Sequence, residues 1–291
     1  MENPELVLDA KAALGEGAVW VADRQRLYWV DIMGKSVHIY NPASGADQVI
    51  DVGQPIGTLA PRRKGGLVLA LKTGLYFFEE ESGRLQKIAA PEDHLSENRF
   101  NDGKCDPGGR FWAGTMSDAF ESGAGSLYRL DADLSLHRLV DKITVSNGMT
   151  WSLDARSMYY IDTPTQTVWA FDYDNATGDL SNRRPAISIP KEEGGPDGMT
   201  IDAEGMLWVA MWQGWQVNRY NPLTGEKLAS IPVPVARVTS CAFGGPNLDE
   251  LYITTAHINI PTAEWESQPH AGGLFKVKPG VMGVPSFSFA G

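Results

Sequence analysis

The sequence predicts an all-β fold, a six-bladed β-propeller with four-stranded blades. Two observations carry this reading. A strand–turn–strand unit recurs six times at a period of about 40–50 residues, and glycine turn signals recur in step with it. A third supports it: no segment has a convincing helical period and no linker divides the chain, so residues 1–291 read as one propeller domain. Two β-sandwich domains are the rival architecture, disfavoured by the even spacing and the missing hinge.

In chain order, the aromatic-rich second strands are LYWVD (27–31), LVLAL (67–71), FWAGT (111–115), MYYID (158–162), LWVAM (207–211) and LYITT (251–255). Their starts lie 40, 44, 47, 49 and 44 residues apart. The third strands follow as SVHIYNP, GLYFFEE, SLYRLDA, TVWAFDY, QVNRYNP and GLFKVKP. Several run into a hairpin signal containing Gly: NPASGA, EEESGR, DYDNATGD and NPLTGE. One strand is left over at the N-terminus, ELVLDA (5–10). It is expected to close the last blade beside SFSFA (286–290), which removes the open edges of the first and last blades.

Composition narrows the function. The formal net charge of −11 disfavours nucleic acid and anionic membranes as partners. Two cysteines, Cys105 and Cys241, are no disulfide framework and point to a reducing compartment. The N-terminal MENPELVLDAKAALGEGAVW lacks a basic n-region and an apolar h-region, and no apolar run reaches the roughly 18–20 residues that span a bilayer. A cytoplasmic protein, monomeric or weakly homo-oligomeric, is the expectation.

In a propeller, loops entering the innermost strands gather side chains at one end of the central channel. Four such places carry polar residues. LGEGAVW holds Glu16 between two glycines; taken alone, this is more often a tight turn with a solvated carboxylate. SENRFNDGK holds Arg99, Asn101 and Asp102. Asn-Asp-Gly is a common turn, whereas Arg99 offers a planar donor fork to oxygen-rich ligands. VSNGMTWSLD and GGPDGMTID share the frame Asn/Asp-Gly-Met-Thr and hold Asn147 and Asp197. A repeat can keep such residues as turn formers. Against this, the position varies only among oxygen donors that converge on one axis. Two carboxylates and an amide, without Cys or His, suit one hard divalent cation: calcium, magnesium or manganese, with zinc also admissible.

The histidines (His38, His94, His137, His257, His270) lie outside the repeated positions, and no G-x-S-x-G occurs, which disfavours a Ser-His-Asp device. His257 follows a second strand, where it can reach the pocket. Trp20, Trp112 and Trp208 read as blade packing and Cys241 as core. Trp212 and Trp215, in AMWQGWQ, lie past a strand end where they can border the pocket.

The motifs LGEGAVW, NRFNDGKCDPGGRFWAGTM, SNGMTWSLD, PDGMTIDAEGMLWVA and TSCAFGGPNLDELYITTA resemble the regucalcin (senescence marker protein 30) and gluconolactonase family, over nearly the whole length. The resemblance implies a six-bladed propeller that hydrolyses sugar (aldono-) lactones with one divalent metal ion. It implies Glu16, Asn147 and Asp197 as metal ligands, Asp197 also as general base, and Arg99 and Asn101 as substrate contacts. One departure stands out. After AGTM the regucalcin branch carries two acidic residues, the second touching substrate; here the stretch is SDAFES, with Asp118 then Ala119. The contact is then lost or supplied by Asp118 or Glu121. The alternative function is calcium binding without catalysis, and a scaffold for protein partners is a third. The lactone itself (pentono-, hexono- or C6-modified) and the metal stay open.

Overall fold

The computed structural model describes residues 3–291. Its strands form six four-stranded antiparallel sheets arranged as the six blades of a propeller. Each predicted second strand lies within an observed one, for example Arg26–Asp31 around LYWVD and Glu250–Thr255 around LYITT. Helical structure among the described residues is limited to three-residue 3-10 turns such as Thr163–Thr165.

Burial explains the pattern seen in the sequence. Second strands such as Leu67–Leu71 are buried at every position, because both faces pack on neighbouring blades. The outermost strands, such as Ala46–Asp51, are mostly exposed and polar, so they have no aromatic signature. The core is divided between blades. Trp208 and Val217 of blade five meet Phe243 and Ile253 of blade six, and Val30 of blade one meets Leu59 and Leu69 of blade two.

Recurring aspartates have structural work. Asp31 and Asp162 end second strands and accept backbone N–H bonds from the preceding inter-blade loop, at Ala13 and Leu14 and at Thr144 and Val145. Asp106 and Asp202 are fully buried and each accepts the indole N–H of the tryptophan six residues on, Trp112 and Trp208, at 2.9 Å. These bonds satisfy groups that would otherwise be costly to bury.

Closure differs in one detail from expectation. The N-terminal strand, Glu5–Leu8, does complete the sixth blade, but its neighbour is Leu274–Val277. SFSFA is not a strand. The tail leaves blade six, bridges Asp202 of blade five at Gly283, and runs on to blade two, where Phe289 bridges Arg62. The Phe289 ring is fully buried beside Ala60, Phe77 and Cys105. Ser286 and Phe287 line the lower channel with Lys104 and Cys105, so the tail crosses the end of the channel away from Glu16 and Asp197.

Candidate active site

All six innermost strands carry a register break at the same height. It falls between Glu16 and Val19, Ile56 and Thr58, Phe100 and Gly103, Ser146 and Met149, Pro196 and Met199, and Val238 and Ser240. Such bulges re-aim side chains out of the alternating pleat. Asn101, Asn147 and Asp197 are the first bulged residues of blades three, four and five; Glu16 immediately precedes the bulge of blade one. These residues were expected in loops entering the strands. They lie inside them, in Gly15–Val21, Asn98–Cys105, Ser146–Trp151 and Gly195–Ile201.

The glycines that follow let the strands approach. A Cβ on Gly148 would lie 2.5 Å from the Asp197 carbonyl oxygen, and one on Gly198 would meet Ser240 at 2.6 Å. Gly17 has φ +59°, the left-handed region that glycine reaches without a Cβ penalty, and its N–H donates to Glu16 Oε2 at 3.0 Å.

The bulges open on a cavity of about 230 Å³ lined by Glu16, Arg99, Asn101, Asn147 and Asp197, with Thr163, Leu14, Met116, Phe120, Val145, Pro164 and Trp212. Arg99 is fixed by three acceptors: its Nη1 donates to Asn101 Oδ1 at 2.6 Å and to the Phe100 carbonyl at 3.1 Å, and its Nε to Asp118 Oδ1 at 3.0 Å. Asn101 Nδ2 donates to the Ser146 carbonyl at 2.8 Å and reaches Asn147 Oδ1 at 3.4 Å. Asn147 Nδ2 donates to Thr163 Oγ1 at 2.8 Å, and Thr163 Oγ1 donates to the Pro196 carbonyl at 2.8 Å. The Asn147 amide is thereby turned with its oxygen toward Asn101.

The electrostatics are unfavourable for bare carboxylates. Burial pushes the Asp197 carboxyl well above its ordinary range, helped by the charge of Asp102. Burial likewise raises Glu16, with Asp197 and Asp102 adding repulsion. Among the described residues, Asp197 Oδ1 is a buried oxygen with no hydrogen-bond donor. An orphaned oxygen beside two more buried acids is a site asking for positive charge. No group of three or more His, Cys, Asp or Glu among the described residues is arranged to hold an ion, so a cation here would rest on Glu16, Asp197 and the Asn147 amide. The donor set fits a hard divalent ion.

Other expectations meet the structure as follows. Asp118 does not line the cavity; its second oxygen accepts from Lys72 Nζ at 2.6 Å. Glu121 is exposed and also stands outside it. Trp212 lines the cavity and Trp215 does not. His257 is turned away and bonds the Ala12 carbonyl through Nδ1 at 2.8 Å. Trp20, Trp112, Trp208 and Cys241 are core. Asp102, read as a turn former, is buried, with a carboxyl raised by burial and counteracted by Lys104. Its place beside Asn101 in NRFNDGK was the available signal. Phe120 and Met116 had none, since they arrive from the end of a second strand.

Residues 14–257 match the model of the SMP-30/gluconolactonase/LRE-like region. YvrE of Bacillus subtilis (strain 168), whose name gives it as a candidate sugar lactone lactonase, is 43% identical over 286 residues, covering 98% of each chain. Regucalcin of Gallus gallus is 42% identical over 294 residues, covering 99% of this chain and 98% of the other. The crystal structure of regucalcin from Agrobacterium tumefaciens, described as a calcium-binding protein, superposes with a TM-score of 0.94 at 28% identity, covering 99% of this chain and 97% of that one. With this match over most of its length and these identities, the chain belongs to the SMP-30/gluconolactonase/LRE-like family.

Proposed function

We propose that the protein hydrolyses a sugar (aldono-) lactone to its aldonic acid, using one divalent cation held by Glu16, Asn147 and Asp197. The observation that carries this is the buried, donor-less Asp197 Oδ1 opposite Glu16, in the same cavity as the Arg99–Asn101 pair. Family membership, with a relative named for lactonase activity, supports the reaction class.

A cation bound there supplies Lewis-acid polarisation of the lactone carbonyl and makes water more acidic. The chain supplies the rest. Arg99 is held from three sides, so its guanidinium presents its remaining N–H groups to the lactone oxygens in a fixed direction. Asn101 is locked between Arg99 and Ser146 and orients the ring beside it. Asp197 Oδ1, free of internal donors, accepts the proton of the attacking water. The apolar wall of Leu14, Met116, Val145 and Trp212 keeps bulk water away from the opening ester.

Calcium binding without catalysis is the second reading, supported by the description of the Agrobacterium relative. An ion buffer has no use for the Arg99–Asn101 pair. The test is a pH-indicator assay with gluconolactone, xylonolactone and galactonolactone, with EDTA and with calcium, zinc, manganese or magnesium. Cation-dependent opening of at least one lactone is expected. No rate above spontaneous opening with any combination ends the hydrolase reading.

A further inference from the structure

The cavity lining divides by chemistry. Glu16, Arg99, Asn101, Asn147 and Asp197 are its polar groups together with Thr163, while Leu14, Met116, Phe120, Val145, Pro164 and Trp212 are apolar. Thr163 offers no free donor, because its hydroxyl proton is committed to the Pro196 carbonyl and its oxygen accepts from Asn147. A polyhydroxylated ligand needs partners for hydroxyls at both ends, and a buried hydroxyl without one is penalised.

The acid bonded to Arg99 is fully engaged. Asp118 gives one oxygen to Arg99 Nε and the other to Lys72 Nζ, and the next residue is Ala119. After Ala119 comes Phe120, with φ +56° and 66% exposure. Several other non-glycine turn residues share this left-handed backbone, so what sets Phe120 apart is an exposed phenyl ring on the cavity lining. A ligand that covers the ring removes that apolar surface from water.

Resting on the hydrolase reading above, we propose that the lactone taken by this site ends in an apolar group: a 6-deoxy or alkyl-terminated lactone whose hydroxyls face Arg99 and Asn101 while its methyl or alkyl end packs on Phe120, Met116 and Trp212.

The test compares kcat/KM for a hexono-1,5-lactone and its 6-deoxy counterpart of the same ring configuration, using the full chain and whichever cation supports turnover. The deoxy compound should be preferred by about tenfold, mostly through KM, the scale at which an apolar pocket discriminates one small group. Phe120→Asn suits the left-handed backbone and folds readily; it should bring the ratio close to one, and Phe120→Ala should do the same. Equal or better turnover of the hydroxylated lactone by the unaltered protein overturns the proposal and leaves the hydrolase reading standing. So does a preference that survives both substitutions. Turnover of neither lactone, with the sugar-lactone panel also inert, overturns both.

Discussion

Arg99 Nη1 and Asn101 Oδ1 lie 2.6 Å apart, and this bond ties Arg99 on the cavity lining to the bulge of blade three. It uses the amide oxygen of Asn101, so the amide nitrogen is turned to the Ser146 carbonyl of blade four. Lysine cannot reproduce the fork that meets Asn101, Phe100 and Asp118 together. Arg99→Lys should lower kcat/KM by about 10–100-fold, with stability reduced by about 1–3 kcal/mol from the acceptors left unpaired. Steady-state kinetics and a denaturant midpoint read the two effects separately.

Asp197→Asn keeps the shape and removes the charge. Lactonase activity should fall at least about 10²-fold, the lower range for loss of a base. In EDTA the same variant should melt higher than the parent, because Asp197 stands buried near Glu16 and Asp102. Added cation should raise the parent's Tm and leave the variant's almost unchanged. Thermal melts of both proteins with and without calcium decide this; a variant still stabilised by the ion would remove Asp197 from the ligand set.

The pH dependence of the cation-free protein follows with its sign. Glu16 and Asp197 have folded-state values above the ordinary ~4.3 and ~3.9. The folded chain therefore binds more protons than the unfolded one, and stability declines as pH rises from about 4 through the raised values. Surface acids such as Asp154 and Asp172, whose carboxyls are lowered by Ser152 and by Asn182 and Arg184, contribute the opposite slope. Subtraction of the Glu16→Gln/Asp197→Asn double variant, measured in EDTA from pH 4 to 9, isolates the buried pair. A parent curve with no extra loss toward high pH would contradict it.

Both cysteines should be inert in the native state. Burial pushes the Cys241 thiol up to about 12 and raises Cys105 well above its ordinary value, so little thiolate forms at pH 8. A disulfide-exchange reagent should titrate two thiols only after unfolding. Fast reaction of either in the folded protein would show a channel more open than the tail leaves it.

The tail should be worth several kcal/mol. Phe289 is fully buried, and its backbone pairs with Pro61 and Arg63 of blade two. Phe289→Ala should lower stability by about 3–5 kcal/mol, as for other large core truncations, with no change in KM because the cavity is at the other end. Urea unfolding and lactone kinetics check both halves.

Much of this is legible in the sequence. The six second strands are buried on both faces, so they read as apolar runs at a fixed period. Glu16, Asn147 and Asp197 stood out because a repeat brings equivalent positions to one axis. The tail was not legible: SFSFA alternates like a strand, yet its partners are backbone groups of blades two and three. Nor was the engagement of Asp118, since Lys72 lies 46 residues away and only blade stacking brings its ammonium within 2.6 Å. The Asp102 carboxylate was masked by a turn-like Asn-Asp-Gly that the structure uses as a bulge in a strand.

The common register break has a consequence for descent with change. Each blade has a seat facing the axis at its break, so the inward set is varied at single positions while the strand register is kept. Two of the six seats are silent. Gly57 cannot grow, because a Cβ would lie 2.5 Å from the Phe100 backbone, and the Thr239 hydroxyl is spent on the Gly15 carbonyl. The ring is thus a partly filled keyboard, in which a new chemistry needs one altered key and no new fold.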